Sequence, residues 1–269
     1  MTPQQTSAPA RYFRLARLLL HLLRGVATTG LLFPFISHAA RQEKIRRWAA
    51  KTLAILNIRV VSEGMLPSGR GAGCVLAANH ISWLDIFVIQ SVCPARFVAK
   101  SEIRDWPVIG WLCAKTGTLF IERGRRHHTA KINQVMRDVL AAGDPVGLFP
   151  EATTTPGDTL KKFHSSLFEA LVVSNAPLYP LALRYRDQAG NHTTAAAYVD
   201  DMSLLACINN ILREPEIVVR LSFAPPIASD GKTRRDLALQ SEIAIASRLG
   251  LPTPHKLPET ARDLRVALR

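Results

Sequence analysis

Short apolar segments recur from about residue 55 onward, and each is followed by a turn or by a stretch with helical periodicity. The segments predicted as strands are Ile58–Val61, Cys74–Ala78, Arg96–Ala99, Thr118–Glu122, Val146–Phe149, Leu178–Arg184, Ala195–Val199 and Ile217–Phe223. Helices are predicted over 82–92, 128–142, 164–174, 202–210 and 233–248, with Gly and Pro at many of the joins. This alternation predicts an α/β fold with a largely parallel sheet flanked by helices.

The chain divides into three predicted parts. Its 269 residues are enough for one substantial domain with a full core, which we place at residues 55–250. Residues 1–54 are expected to form a disordered N-terminus followed by a membrane-associated pair of helices. Residues 251–269 form a basic C-terminal tail.

The N-terminal part mixes leucines with basic residues. Within residues 12–24 the basic side chains recur at spacings of three and four, which places them on one helical stripe: Arg14, Arg17, His21 and Arg24. Such a helix suits the membrane interface, with its basic stripe against lipid head groups and its leucines among acyl chains. With a second amphipathic helix over about 39–56, it predicts an amphipathic helical membrane anchor in front of the α/β domain.

Three alternatives to this anchor stay open. A membrane-spanning helix needs about 20 apolar residues, and a span from Leu18 to Ile36 would bury His21 and Arg24. A signal peptide is a second alternative, since residues 37–40 come near a cleavage site. Third, the segment could form ordinary helices that pack on the core.

The chain is strongly basic, with a formal net charge of +13 and a pI near 10.2. An excess of Lys and Arg favours anionic partners: nucleic acid, an anionic membrane surface or phosphorylated substrates. No helix-turn-helix, zinc-finger or RNA-recognition signature accompanies the charge. We therefore expect an anionic membrane surface and no nucleic acid among the partners.

The four cysteines lack metal-binding or redox spacing and lie in apolar contexts: Cys74, Cys93, Cys113 and Cys207. They are interpreted as buried, reduced thiols of a protein that faces the cytosol. We expect neither a metal site nor a bound cofactor.

A histidine and a carboxylate stand five positions apart directly after the apolar run that ends at Ala78, in the stretch Asn79-His80-Ile81-Ser82-Trp83-Leu84-Asp85. A turn from strand to helix can bring His80 and Asp85 together. A His paired with a carboxylate is a ready general base, because the carboxylate fixes the tautomer and stabilises the imidazolium. A structural alternative is a capping box, in which Ser82 caps the next helix and Asp85 bonds back to its start.

Three further segments follow in order, each an apolar strand that ends in polar or Pro-containing residues: Gly117–Arg123, Gly147–Thr154 and Pro177–Leu183. Together with His80 and Asp85 they closely resemble the glycerolipid acyltransferases, the family of bacterial 1-acyl-sn-glycerol-3-phosphate acyltransferases. The resemblance covers about residues 50–225. A lone His-x4-Asp is common by chance, whereas four blocks in the same order are specific.

The resemblance implies roles for individual residues. His80 corresponds to the general base and Asp85 to the residue that orients it. Arg123 corresponds to the residue that holds the acceptor's phosphate, and Glu151 to one that lines the acceptor site. His80, Arg123 and Glu151 each follow a predicted strand, which is the edge of an open α/β sheet where ligands bind.

The third block departs from the family pattern. The family usually reads Phe-Pro-Glu-Gly-Thr-Arg, and Thr154 occupies the position of its phosphate-gripping Arg. The hydroxyls of Thr153 and Thr154 can donate hydrogen bonds but bring no charge. Either Lys161 or Lys162 supplies the charge, or the acceptor has no phosphomonoester, as in similar family members that act on lyso-ornithine lipids.

Three more residues complete the candidate substrate-binding set: Asn79, Ser82 and Lys100. Asn79 and Ser82 flank the base, and Lys100 ends a predicted strand and adds positive charge. Each has a structural alternative: an Asx-turn at Asn79, a helix cap at Ser82 and a solvated strand end at Lys100.

The expected function is transfer of a fatty acyl group from acyl-CoA or acyl-carrier protein to the hydroxyl of a lysolipid. The first acceptor is 1-acyl-sn-glycerol-3-phosphate, and the alternative is lyso-ornithine lipid. The expected location is the cytoplasmic face of the cell inner membrane, held peripherally by the N-terminal helices. A rival from another class is a non-catalytic basic protein that binds membranes or nucleic acid.

Overall fold

The computed structural model describes residues 5–67, 73–121 and 126–255, with the side chains of 126–131 excepted. In this part of the chain, seven strands form one sheet in the order β1-β7-β6-β2-β5-β3-β4. The strands are β1 (Ile58–Gly64), β2 (Val75–Ala78), β3 (Arg96–Lys100), β4 (Leu119–Ile121), β5 (Val146–Leu148), β6 (Leu178–Asp187) and β7 (Ile217–Phe223). Neighbouring strands are parallel except β6 and β7. The predicted α/β class with a largely parallel sheet is confirmed.

Helices cover both faces of the sheet. They are α1 (Ala8–Ala27), α2 (His38–Ile55), α3 (Leu84–Val92), α4 (Ile109–Lys115), α5 (Arg126–Ala141), α6 (Glu169–Ser174), α7 (Leu204–Arg213) and α8 (Arg234–Leu249). Core side chains of α2, α3 and α7 lie on one face, and those of α5, α6 and α8 lie on the other.

Strand β2 lies in the middle of the sheet and is buried on both faces. Leu76 and Ala78 belong to one core cluster, while Val75 and Ala77 belong to the other. This double burial explains why the segment reads as a continuous apolar run without polar alternation. It also places the residues that follow Ala78 at the centre of the sheet's edge.

The sequence prediction fails at two places. No strand forms at Ala195–Val199, which is a turn with irregular backbone. There the N–H of Tyr198 donates to the carbonyl of Ile81, so this segment braces the loop after β2 instead of joining the sheet. The prediction also missed the 3₁₀ turn Ser101–Asp105 and helix α4, which is short and follows a Trp-Pro pair.

The N-terminal helices pack on each other through His21 and Trp48. The two rings stack with centroids 5.1 Å apart. The indole N–H of Trp48 donates to the carbonyl of His21 (3.2 Å), and His21 Nε2 lies 3.0 Å from the carbonyl of Trp48. The guanidinium of Arg14 donates to the backbone carbonyls of Glu214 and Pro215. Two members of the predicted lipid-facing basic stripe therefore bond to the protein, and for these two the prediction was wrong.

The outward face of the N-terminal segment is apolar. Its large exposed apolar side chains are Tyr12, Phe13, Leu19, Leu20, Leu23, Leu31, Leu32 and Phe35. Helix α1 continues through a π-helical turn, Thr28–Leu32, and a 3₁₀ turn, Phe33–Phe35. By length and composition alone the segment Ala8–Phe35 is sufficient to cross a membrane.

Helices α1 and α2 approach most closely at Gly25. A methyl group added there would lie 2.7 Å from Nε1 of Trp48, whereas one added at Gly30 would lie 3.6 Å from Trp111 in ordinary contact. We expect Gly25→Ala to lower the free energy of unfolding by about 1–3 kcal/mol through overpacking, and Gly30→Ala to leave it nearly unchanged. Thermal unfolding of the two variants measures the difference. Equal midpoints would contradict the close packing.

Candidate functional site

The site begins where β2 ends, and a side chain continues the sheet there. The amide of Asn79 donates to the carbonyl of Leu183 (3.1 Å), and its oxygen accepts from the N–H of Leu183 (2.7 Å). Asn79 is 1% exposed. Both side-chain hydrogen bonds of Asn79 go to the backbone of β6, so the predicted Asx-turn is not formed. They fix the point at which His80 leaves the sheet.

The carboxylate of Asp85 gathers the turn after β2 around itself. Its Oδ2 lies 2.8 Å from Nδ1 of His80 and accepts from the N–H groups of Ile81 (2.7 Å) and Ser82 (3.0 Å). Its Oδ1 accepts from the hydroxyl of Tyr185 (2.7 Å). The predicted pairing of His80 with Asp85 is present, and so are the backbone contacts expected of a cap. Four donors compensate the burial of this carboxylate, which is 0% exposed.

Tyr185 was missed by the sequence analysis. It lies on β6, one hundred residues from Asp85, and is among the largest fully buried side chains. Burial and the neighbouring Asp85 raise the pKa of the Tyr185 hydroxyl well above its usual value, so it remains a donor. The hydroxyl is the only polar atom of the Tyr185 side chain. A buried hydroxyl needs a hydrogen-bond partner, and this requirement was the available signal in the sequence.

The buried side chain of Glu151 bridges two backbone segments. Its Oε1 accepts from the N–H of His80 (2.7 Å), and its Oε2 accepts from the N–H of Lys161 (2.8 Å). It is 2% exposed. Burial raises the pKa of Glu151 to about 7, although both hydrogen bonds act in the opposite direction.

Thr155, also missed by the sequence analysis, forms a second backbone contact with His80. Its N–H donates to the carbonyl of His80 (2.9 Å). The loop after β5 therefore binds both backbone groups of His80, through Glu151 on the N–H side and Thr155 on the carbonyl side.

The imidazole of His80 stacks on Phe149, with ring centroids 4.0 Å apart and planes inclined by 13°. Phe149 stacks in turn on Phe97. Nδ1 is directed to Asp85, and the His80 side chain is 20% exposed. None of the hydrogen bonds between described residues uses Nε2. A ring held in this way can accept a proton at Nε2.

The remaining predicted site residues are dispersed. The Ser82 hydroxyl is buried and accepts from the N–H of Leu84 (3.3 Å). Lys100 is exposed at the end of β3, and Thr153 is exposed beside Glu151. The Thr154 hydroxyl donates to the carbonyl of Tyr198. Arg123 lies outside the described residues.

The thiols offer no second reactive centre. Burial raises the pKa of Cys74 to about 12 and that of Cys93 to about 11, and it also raises the pKa of Cys113 and Cys207. Cys93 and Cys113 were expected to be buried, but in the structure they are only half-buried. Over residues 5–67, 73–121 and 126–255, no three His, Cys, Asp or Glu side chains are grouped as metal ligands.

Comparisons with known proteins agree with this geometry. The sequence model of the Acyltransferase family matches residues 57–184. The lyso-ornithine lipid O-acyltransferase of Pseudomonas aeruginosa is 35% identical over 205 residues, which cover 76% of this chain and 78% of the relative. The 1-acyl-sn-glycerol-3-phosphate acyltransferase of Neisseria meningitidis is 36% identical over 171 residues, or 64% of this chain and 66% of the relative.

A solved structure shares the fold. The 1-acyl-sn-glycerophosphate (LPA) acyltransferase PlsC from Thermotoga maritima superposes with a TM-score of 0.62 at 20% identity, covering 88% of this chain and 96% of that one. The resemblance seen in the sequence blocks is confirmed by these matches. The chain belongs to the glycerolipid acyltransferase family and is an acyltransferase of the lysolipid type.

Proposed function

We propose that the chain transfers a fatty acyl group from a thioester, acyl-CoA or acyl-carrier protein, to the free hydroxyl of 1-acyl-sn-glycerol-3-phosphate, giving phosphatidic acid. The observation that carries the proposal is His80 itself. Its Nδ1 lies 2.8 Å from a buried carboxylate, and its side chain is 20% exposed with Nε2 unused by any hydrogen bond between described residues. The reaction needs no bound cofactor or metal.

His80 acts as the general base. Its Nε2 takes the acceptor's hydroxyl proton while the hydroxyl oxygen attacks the thioester carbonyl carbon. As the tetrahedral intermediate collapses, the carbon–sulfur bond breaks, and the thiolate recovers the proton from the imidazolium. Asp85 stabilises the imidazolium, and Tyr185 holds the second oxygen of Asp85 so that the carboxylate keeps its orientation.

Glu151 and Thr155 act as positioning residues. They hold the backbone of His80 from both sides and leave the ring free to meet substrate. Phe149 supports the ring from one face at 4.0 Å. General-base catalysis depends on such fixed geometry, since a small displacement of the reacting atoms costs a large factor in rate.

The acceptor's anionic head group is assigned to basic residues near the carboxyl edge of the sheet. Lys100 ends β3, and Lys161 and Lys162 follow the Glu151 loop; all three are exposed. Arg123 has the corresponding role by resemblance. Their charge would offset that of a phosphomonoester.

Lyso-ornithine lipid is a second candidate acceptor, and Thr154 is the reason. The residue in the place of a phosphate-gripping Arg is uncharged, and its hydroxyl proton is already donated to Tyr198. The relatives from Pseudomonas aeruginosa and Rhizobium meliloti, the latter 34% identical over 203 residues, are lyso-ornithine lipid O-acyltransferases.

The N-terminal segment supports a place at the cytoplasmic face of the cell inner membrane. Many of its outward residues are apolar, including Phe35 at 85% exposure and Leu31 at 75%. We place this face in the bilayer interface.

Replacing the base tests the mechanism directly. We expect His80→Ala to lower kcat about 10²–10⁴-fold, the range for loss of a general base, and also to lower thermal stability, because the buried Asp85 loses one of its four donors. His164→Ala, which removes an exposed His near the same loop, should retain wild-type activity. A His80→Ala enzyme with near-normal turnover would exclude the mechanism.

The acceptor is decided by a paired assay. Purified enzyme receives labelled palmitoyl-CoA or palmitoyl-carrier protein, with lysophosphatidic acid or lyso-ornithine lipid as acceptor. We expect phosphatidic acid to form at a kcat/KM at least tenfold above that for lyso-ornithine lipid. The reverse ratio would keep the chemistry and replace the proposed acceptor. No product from either acceptor would count against the acyl-transfer proposal itself.

Glu151 predicts a pH dependence of stability. Because the folded-state pKa is raised to about 7 from 4.5, the fold prefers the protonated carboxyl. Its contribution is fully present below about pH 4.5 and is lost as pH rises through about 7, a total of about 3 kcal/mol. Glu151→Gln should lack this loss between pH 5 and pH 8 in urea unfolding. As a control, Glu169→Gln, which replaces a partly exposed carboxyl paired with Arg234, should show the same pH dependence as the wild type. Parallel pH curves for wild type and Glu151→Gln would contradict the raised pKa.

A further inference from the structure

A second pocket lies between the start of α2 and the end of α4. It is lined by basic and polar side chains, among them His38, Arg41, Gln42, Arg96 and Lys115. Phe33, from the turn that joins α1 to α2, forms its apolar wall. We call this the α2–α4 pocket.

The α2–α4 pocket lies at the opposite edge of the sheet from His80. Arg96 is the first residue of β3, and the neighbouring Asp144 precedes β5 by two residues. These strands run parallel to β2, whose carboxyl end carries His80. The pocket is therefore separate from the site proposed for acyl transfer.

The charges of the pocket are not balanced by the protein. Asp144 bonds to two of the pocket's lining residues, His38 (2.6 Å) and Arg96 (2.7 Å). Among the described residues, no carboxylate pairs with Arg41 or Lys115. The Nε of Arg41 is buried without a hydrogen-bond partner in this part of the chain, which is costly unless a ligand accepts from it.

The backbone at the pocket also favours an anion. Helix α2 begins there at His38 and has no acidic residue in its first turn. The amino end of a helix carries partial positive charge and unpaired N–H groups. Of these, the N–H of Ala40 is bonded to the Ser37 hydroxyl. The helix terminus and the unpaired Arg41 nitrogen are independent features that favour the same kind of ligand.

Exposed apolar side chains belong to the same elements that line the pocket. Phe35 is 85% exposed and Leu31 is 75% exposed, both in the segment before α2. Trp111 of α4 is 39% exposed and lies beside Gly30. Apolar side chains next to a cationic recess match a lipid, whose acyl chains and phosphate are similarly adjacent.

We propose that the α2–α4 pocket binds the phosphate group of an anionic phospholipid in the membrane surface, through Arg41, Lys115 and the amino end of α2. The lipid is a docking ligand, not the acceptor. It holds the enzyme at an anionic bilayer with Phe35 and Trp111 inserted beside it. This inference rests on the proposed membrane location and is independent of the proposed chemistry.

The test compares two double variants that remove the same charge. Arg41→Gln/Lys115→Gln alters the pocket, and Lys44→Gln/Lys51→Gln alters exposed positions on α2 that do not line it. Binding of the full chain to phosphatidylcholine vesicles, with and without 20 mol% phosphatidylglycerol, is measured by sedimentation. We expect the pocket variant to lose about tenfold or more in affinity for the anionic vesicles, and the control variant less than threefold.

Activity and stability separate the possible failures. In neutral detergent micelles the pocket variant should keep wild-type acyl transfer, and its thermal midpoint should stay close to that of the wild type, because neither Arg41 nor Lys115 forms an ion pair with a described residue. If both double variants lost vesicle binding equally, the loss would be due to the net charge of the protein, and the proposed lipid site in the α2–α4 pocket would be wrong. Micromolar binding of inorganic phosphate that Arg41→Gln/Lys115→Gln abolishes, with vesicle affinity unchanged, would overturn the lipid assignment in favour of a soluble anion.

Discussion

The buried carboxylate of Asp85 organises the functional edge of the sheet. An ionised group with no access to water is tolerated only where hydrogen bonds replace the lost hydration. The donors that surround Asp85 come from the turn after β2, from the imidazole of His80 and from Tyr185 on β6. One group therefore fixes the backbone turn, the ring orientation and the contact between two strands. The capping and catalytic interpretations of Asp85 are two consequences of the same hydrogen bonds.

Parallel strand direction brings the other parts of the site to this turn. Because β2 and β5 end at the same edge, the loop after β5 reaches His80 directly. Its Glu151 and Thr155 bind the His80 backbone, and its Phe149 stacks on the ring. The resemblance assigned Glu151 to the acceptor site. Its buried position and its two backbone partners instead favour a supporting role, one step removed from substrate.

The two edges of the sheet differ in whether their charged side chains have hydrogen-bond partners within the protein. At the carboxyl edge the described buried carboxylates, Asp85 and Glu151, are fully hydrogen-bonded within the protein. At the amino edge of β3 and β5, the carboxylate of Asp144 bonds to both His38 and Arg96, while Arg41 keeps a buried nitrogen without a described partner. The first arrangement holds a reactive ring in place. The second leaves binding capacity for an anion, next to the apolar segment that precedes α2.

The sequence by itself determined most of the strands and helices and the local pair at the end of β2. Apolar runs gave β7 with its observed bounds and β2 to within one residue, and the five-residue spacing of His80 and Asp85 gave their contact, because both depend on neighbours along the chain. Only the tertiary structure decided what Asn79, Thr154 and Tyr185 bond to, since those partners lie 104, 44 and 100 residues away. It also decided that Ala195–Val199 braces the loop after β2 and that Arg14 and His21 face the protein. Such contacts follow from sheet register and helix packing, which place distant residues together through the whole core and leave no mark in local periodicity.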